Sequence, residues 1–502
     1  MDEFKAAVQS QNIYLDGFDQ IVSSMYIPCY YWFENAEASD DASWIKFMPP
    51  ETLRIAFYRT LQDFPILAGR FKADKDDHGY VEVDKNDLNM PLYTDTSLDV
   101  EFKKIKDAGY DTKMLPAFFQ EACSIASASR FATTSAKLGI FHICRCKDYS
   151  GVVILASIAH GVVDGYGHIA FISRWAEISK WMQECLAKKD PELSVSKFIH
   201  DRSIHKDYKL DGTDALDEMT LKSVADSSSL TRFFSRLPVD KRNRIFKSMA
   251  PSKNVVCCNF HVRAQTMKDM NEAVQEFAPF GSRYSSNDVI TALMTIVIGQ
   301  AIRKNTVTTQ NKVVSKVWSS LFGSGDSKPN DTLTAVAVNM RSRIDHPDAK
   351  DFVGNLSFVR HVLCAQAFVQ AENKPENIAA VASIIREAIS TTDKNYIGQM
   401  NSLINRESDS YMRLIANFRK YENSLTISNT SKAGYYDIDF GAGIPCLFRP
   451  VFRVSTNAIF VMPCHPDIGG FDFVMVLEKN VAGAVVQDKH WMHMVDSYDF
   501  DI

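Results

Sequence analysis

The sequence predicts an α/β (α+β) chain with mixed sheets, organised as two domains. Three observations predict it. The 502 residues exceed the roughly 250–300 at which one hydrophobic core stops growing. Strand-like apolar runs alternate with helix-period stripes along the whole length. One stretch after the helix ending near Leu186, "AKKDPELSVSKFIHDRSIHKDYKLDGTDALDEMTLKSVADSSS", loses its apolar periodicity and gains charge, which reads as a crossover linker. The expected organisation is an N-terminal domain over 1–190, a linker over 191–230 and a C-terminal domain over 231–502.

In chain order, "ETLRIAFYRTLQDFPILAGRF" sets Leu53, Phe57, Leu61 and Phe64 at helical spacing until Pro65 and Gly69 interrupt it. "KLGIFHICRCKDYSGVVILASIAH" holds two strand-like runs joined by a turn containing Asp, Ser and Gly, so a hairpin is expected with His160 at the end of its second, buried strand. "GYGHIAFISRWAEISKWM" then carries Ile169, Ile172, Trp175, Ala176 and Met182 on one helical face. Residues 160–164 therefore form the short connection from strand to helix. In the second half, Ser285 followed three residues later by Asp288 opens a helix in the manner of a capping box, with Val289, Leu293, Val297 and Ala301 as its stripe. Strands are expected at "LTAVAVNM", "SLTISNT", "AIFVMP" and "FDFVMVLEK".

Composition narrows the function classes. Hydrophobic residues at 46%, charged residues at 23% and a net charge of −5 describe a globular protein with no general field for a polyanion, so nucleic acid is not an expected partner. The start, "MDEFKAAVQSQNIYLDGF", has acids where an export signal needs bases. The longest apolar window, "VITALMTIVIGQAI", is shorter than the roughly 18 residues that span a bilayer and reads as a buried helix. Ten cysteines follow no framework spacing. A cytoplasmic protein with free thiols and no membrane span is expected.

The stretch "SIAHGVVDG" raises the chemical question. His160 is open to three readings: a core histidine that has found a partner, a metal ligand with Asp164 and His168, or a general base. Two glycines within the span and no second ligand pair argue against metal, and none is expected. Asp164 precedes a helix and suits an N-cap, which is compatible with a supporting catalytic role. The small neighbours Ala159 and Gly161 leave room for a substrate at the imidazole, whose unperturbed pKa of about 6.5 suits a base at neutral pH. Cys144 and Cys146 share a strand face and are expected to pack there. "DFG" at Asp439 has no catalytic loop or glycine-rich phosphate loop upstream, so a kinase is not supported. "GSGDSKPND" reads as a surface turn and "DKRNRIFKSM", 240–249, as a solvated basic face.

Taken together, "HGVVDG" and "DFGAG", in that order and in separate halves, resemble the H-x-x-x-D-G and D-F-G-W-G signatures of the BAHD-type acyl-CoA-dependent acyltransferases. "YLDGFDQ", "FPILAGRF", "VNMRSRI", "FVGNLSF" and Pro445 are similar as well, so the resemblance covers nearly the full length. It implies two chloramphenicol-acetyltransferase-like domains, each a mixed β-sheet flanked by helices, around a solvent channel, with acyl-CoA as co-substrate and no tightly bound cofactor. His160 would deprotonate a hydroxyl or amine of a small acceptor, O-acylation leading, with no covalent acyl-enzyme. Asp164 would pair with Arg341 and hold the loop, with Gly165 beside it, while Asp439 and Gly441 would be structural. Ala442 stands where plant relatives usually carry tryptophan, and 279 residues separate His160 from Asp439; both features look more like the fungal branch that includes trichothecene acetyltransferases. Ser428, upstream of the second motif, would bind substrate. Two halves in one chain make a monomer sufficient. The alternatives are a carrier-protein-dependent condensation-like enzyme, against which Ala159 replaces the first histidine of its motif, and a non-catalytic binding protein on the same scaffold.

Overall fold

The computed structural model describes residues 2–23, 25–36, 47–75, 78–123, 136–187, 192–207, 209–217, 220–221, 255–306, 331–406, 423–451 and 457–501. The basic run 240–249 and most of the turn around Ser324 lie outside the described residues, as does part of the expected linker. In chain order the strands are β1 (Gln11–Tyr14), β2 (Tyr26–Glu34), β3 (Arg70–Ala73), β4 (Gly79–Val83), β5 (Leu92–Ser97), β6 (Gly139–Arg145) and β7 (Gly151–Ala159). They continue as β8 (Val255–Val262), β9 (Thr332–Asn339), β10 (Ser357–Cys364), β11 (Asn423–Asn429), β12 (Leu447–Pro450), β13 (Ala458–Pro463), β14 (Phe471–Glu478) and β15 (Ser497–Asp501).

Two units divide the chain. The first comprises 1–204 and takes back two later segments, 347–356 and 433–454; the second comprises 205–346, 357–432 and 455–502. The first break falls inside the stretch read as a linker, but a single cut does not describe the rest. "DFGAG", expected in the C-terminal domain, belongs to the first unit. The physical reason is strand pairing: β12, just after the motif, pairs antiparallel with β2 as Leu447 opposite Trp32 through Pro450 opposite Cys29. Composition cannot reveal such a return, because it depends on pairing between segments hundreds of residues apart.

The first unit holds a five-stranded sheet of order β12-β2-β7-β6-β5, in which only β5 and β6 run parallel, and a small sheet of order β1-β4-β3. The predicted hairpin is β6–β7, turned through Lys147–Tyr149, where Asp148 and Tyr149 take positive φ. Every residue of β2 before Glu34, and all of β6 and β7, are buried, as strands covered on both faces should be. Two helices cover one region of this unit: α1 (Pro50–Asp63) and α2 (Gly165–Leu186). Their apolar stripes meet in an aromatic group in which Phe57 lies 4.9 Å from Phe141 and 5.3 Å from Trp175, edge to face. The indole Nε1 of Trp175 donates to the carbonyl of Leu53 at 2.9 Å, so this ring is buried with its polar atom satisfied. Cys144 and Cys146 are buried in one apolar cluster with Trp32 and Phe119.

The second unit holds a seven-stranded mixed sheet of order β10-β9-β11-β13-β14-β8-β15, with β9–β11 and β11–β13 parallel. Its core packs α3 (Ser286–Thr306) and α4 (Pro375–Ser390) with sheet residues including Val336, Ile427 and Val461. The capping box is present: the amide of Asp288 donates to Ser285 Oγ at 3.2 Å and that of Ser285 to Asp288 Oδ2 at 2.7 Å. Val289, Leu293, Val297 and Ala301 of the predicted stripe are all buried.

Candidate active site

His160 sits in the turn that follows β7, and its backbone amide donates to the carbonyl of Met25 at 2.8 Å. The side-chain amide of Asn355 donates to the His160 carbonyl, also at 2.8 Å. Both backbone polar groups of the residue are thereby spoken for, which fixes where its side chain starts. His160 is itself half-buried, whereas Ala159 before it and Gly161 to Asp164 after it are buried. Its Nδ1 is enclosed without a hydrogen-bond partner of normal geometry. Burial pushes the imidazole pKa below 6.5, against an upward pull from the surrounding backbone, the Asp164 charge and the Asn355 amide. The ring is therefore neutral at pH 7 and has a lone pair to offer.

Asp164 caps α2 in extended conformation, accepting from the amide of Gly167 at 3.1 Å through Oδ1. Its Oδ2 accepts from the amide of Leu356 at 3.2 Å. The carboxylate is 2% exposed, so it joins the start of α2 to the returning segment 347–356. Gly167 makes this approach possible: a Cβ there would stand 2.0 Å from the Val353 carbonyl oxygen. Gly165, the glycine of the motif, has no such neighbour, since a Cβ would find nothing nearer than the Tyr435 hydroxyl at 3.9 Å.

A buried polar group that the sequence reading did not single out underlies the loop. Asn355 donates from Nδ2 to Asp19 Oδ1 at 2.8 Å as well as to His160. Asp19 is fully buried, and its Oδ2 lies 3.4 Å from Arg202 Nε. Arg202 in turn donates to the carbonyls of Val162 at 2.6 Å and His200 at 2.8 Å, and its guanidinium lies over the ring of Phe352 at 5.3 Å. An ion pair this deep persists because further hydrogen bonds satisfy both partners. Asp19 and Asn355 fall within the segments "YLDGFDQ" and "FVGNLSF", but nothing in the sequence shows that they meet.

His168, weighed as a ligand, is a core residue: it is fully buried, its Nε2 lies 3.4 Å from the Ala156 carbonyl, and burial lowers its pKa to about 4. Asp439 organises its own loop. Its Oδ1 accepts from the amides of Gly441, Ala442 and Gly443 at 2.8–3.0 Å, and its Oδ2 accepts from Lys180 Nζ at 2.7 Å. Burial alone would raise its pKa, but Lys180 and the loop amides outweigh that and hold it below the usual range. The Phe440 carbonyl accepts from Gln183 Nε2 at 2.6 Å, and the Phe440 ring meets Trp175 edge to face at 5.1 Å. Gly441 has φ +91, where a side chain would be strained. "DFGAG" thus knots itself onto the far end of the helix that Asp164 begins.

Arg341 and Ser428 belong to the second unit. Arg341 follows β9 in a turn where its amide donates to Asn339 Oδ1 at 3.0 Å, and half-buried Ser428 lies on β11 opposite Phe460.

Comparison with known proteins identifies the family and the fold. A family model described as "Transferase family" matches residues 5–491. Akuammiline synthase 2 of Alstonia scholaris is 24% identical over 486 residues, covering 92% of this chain and 89% of that protein. BAHD acyltransferase DCR of Arabidopsis thaliana is 24% identical over 454 residues, covering 88% and 80%. Among solved structures, TRI101 of F. graminearum complexed with ethyl coenzyme A has a TM-score of 0.69 at 15% identity, covering 98% of this chain and all of that one; this likeness speaks for the fold. With the family model spanning the chain almost end to end, the protein belongs to the transferase family of BAHD-type acyltransferases.

Proposed function

We propose that the protein moves an acyl group from coenzyme A to a hydroxyl, or second to an amine, of a small specialised-metabolite acceptor, with His160 as general base. The observation that carries this reading is the half-buried, neutral imidazole of His160 at the end of β7, with both backbone polar groups of the residue hydrogen-bonded. The imidazole takes the acceptor proton as the acceptor oxygen attacks the thioester carbonyl carbon. The tetrahedral oxyanion collapses with cleavage of the carbon–sulfur bond, and coenzyme A leaves with the proton returned from the imidazolium. Neither a metal nor an acyl-enzyme takes part. Asp164 is a positioning residue in this scheme, Arg341 and Gly165 keep the supporting roles that the resemblance implies, Asp439 and Gly441 are structural, and Ser428 binds substrate.

Solved structures of TRI101 hold coenzyme A together with T-2 mycotoxin or deoxynivalenol, which supports a coenzyme A thioester as donor and a small molecule as acceptor. A carrier-protein thioester is the second reading, because the first condensation domain of the calcium-dependent antibiotic synthetase shares the fold with a TM-score of 0.55. Ala159, in place of a first motif histidine, weighs against it. No helix among the described residues is long and apolar enough to cross a membrane; cytoplasmic location and a monomeric state complete the proposal.

A thiol-release assay with a panel of acyl-CoAs and pooled hydroxylated and amine acceptors tests it. Acceptor-dependent release of coenzyme A supports the reading. Transfer from an acylated carrier protein, with none from any acyl-CoA, would replace it with the second.

A further inference from the structure

The seven-stranded sheet carries a cluster of reactive side chains that the proposed acyl transfer, with His160 as its base, does not use. Strands β13, β14 and β8 are neighbours in that sheet. Asp472 stands opposite His261 in the β14–β8 register, and Met462, two residues before Cys464, stands opposite Asp472 in the β13–β14 register. The end of β13 therefore delivers a thiol to the side-chain pair made by the other two strands. His261 Nδ1 lies 2.9 Å from Asp472 Oδ1, and Cys464 Sγ lies 3.7 Å from the same ring nitrogen. One ligand atom from each of the three residues lies within 4.8 Å of those of the other two, the one such trio of potential ligands among the described residues.

We infer that His261, Cys464 and Asp472 form a binding site for one divalent cation of the zinc class, with a fourth position for water. The donor set selects the metal: a sulfur and an imidazole nitrogen beside one carboxylate suit zinc or cobalt, whereas calcium and magnesium require oxygen. The spacing fits as well. A tetrahedral ion about 2.3 Å from sulfur and about 2.0–2.1 Å from nitrogen holds its ligand atoms roughly 3.3–3.7 Å apart. The sulfur–nitrogen distance already matches, and the nitrogen–oxygen distance has to open by a few tenths of an ångström, within reach of side-chain torsions alone. Side-chain exposures of 16% for His261 and 27% for Asp472 let an ion enter while shielding it from bulk water.

The same geometry argues against a nucleophile relay. In a Cys–His–Asp relay, thiol and carboxylate engage opposite nitrogens of the imidazole. Here both approach Nδ1, the arrangement in which one ion can replace the shared hydrogen bonds. Binding then releases the thiol proton to solvent and ties the end of β13 to β14 and β8. This departs from the sequence expectation that the chain has no metal site.

The test uses the full chain, stripped with a chelator and titrated with Co²⁺ and with Zn²⁺. The expected result is one equivalent per chain, a thiolate-to-cobalt charge-transfer band, and a melting temperature that rises with free zinc. Cys464→Ser and His261→Ala should remove the band and weaken binding by about tenfold or more, while Cys185→Ser, at an exposed cysteine, should change neither. X-ray absorption on the zinc-loaded wild type should count one sulfur with nitrogen or oxygen neighbours, a readout that stands even if a variant folds poorly. Absence of stoichiometric binding, a band that survives Cys464→Ser, or a shell with no sulfur or with two would overturn the inference.

Discussion

The side-chain amide of Asn355 donates a 2.8 Å hydrogen bond to the backbone carbonyl of His160. Its second N–H holds the carboxylate of Asp19, so one side chain couples the His160 loop to a buried ion pair. Asn355→Ala removes a donor from the buried Asp19 carboxylate and another from the part-buried His160 carbonyl, which costs about 1–3 kcal/mol. The expected outcome is a lower midpoint in urea unfolding together with a fall in kcat larger than any change in KM. Unchanged kcat in a destabilised variant would show that the carbonyl contact does not position the base.

The two glycines that flank Tyr166 should respond in opposite ways. Gly167→Ala drives a methyl into the Val353 carbonyl and should cost at least about 1–3 kcal/mol, as overpacking does. Gly165→Ala, at the first residue of α2, meets only an ordinary contact with the Tyr435 hydroxyl at 3.9 Å and should stay within about 0.5 kcal/mol of wild type. Thermal unfolding of the pair distinguishes them, and equal losses would contradict the assignment of the close approach to Gly167.

Asp439 is a fold element by its bonding, so Asp439→Ala should lower the melting temperature and leave the pH dependence of kcat/KM where it was. If that carboxylate were instead a catalytic acid, the variant would lose a limb of the pH profile with little change in stability. Measuring both quantities on one preparation decides between the two.

Four histidines are held neutral by burial, with pKa values lowered to about 4: His142, His168, His200 and His361. In the unfolded chain they titrate near 6.5, so below that pH the unfolded state binds more protons and stability falls as pH falls. Each contributes a slope of at most about 1.4 kcal/mol per pH unit between 6.5 and 4. Denaturation followed from pH 7.5 to 4.5 should show the loss beginning below about pH 6.5. A flat profile down to pH 5 would mean that these rings open to solvent in the native state.

Much of the local structure was legible because it rests on local rules. The turn between β6 and β7, the end of α1 before Pro65, the Ser285–Asp288 capping box and the buried stripe of α3 each follow from spacing within a few residues. The placement of His160 after a buried strand and of Asp164 as an N-cap followed in the same way. What could not be read was tertiary. The pairing of β12 with β2 joins segments more than 400 residues apart, and the group of Asp19, Arg202 and Asn355 comes from three distant stretches, none of which carries a periodic signal. The His261, Cys464 and Asp472 trio is illegible in sequence for the same reason: their proximity comes from strand order, and no spacing in sequence encodes it.

The most direct test of the central claim is acceptor-dependent coenzyme A release by His160→Ala beside wild type. Removing a general base should reduce turnover by about 10²- to 10⁴-fold, while coenzyme A affinity and melting temperature stay close to wild type. Turnover at the wild-type rate in a folded His160→Ala protein would contradict the account, because the proton would then leave the acceptor by another route.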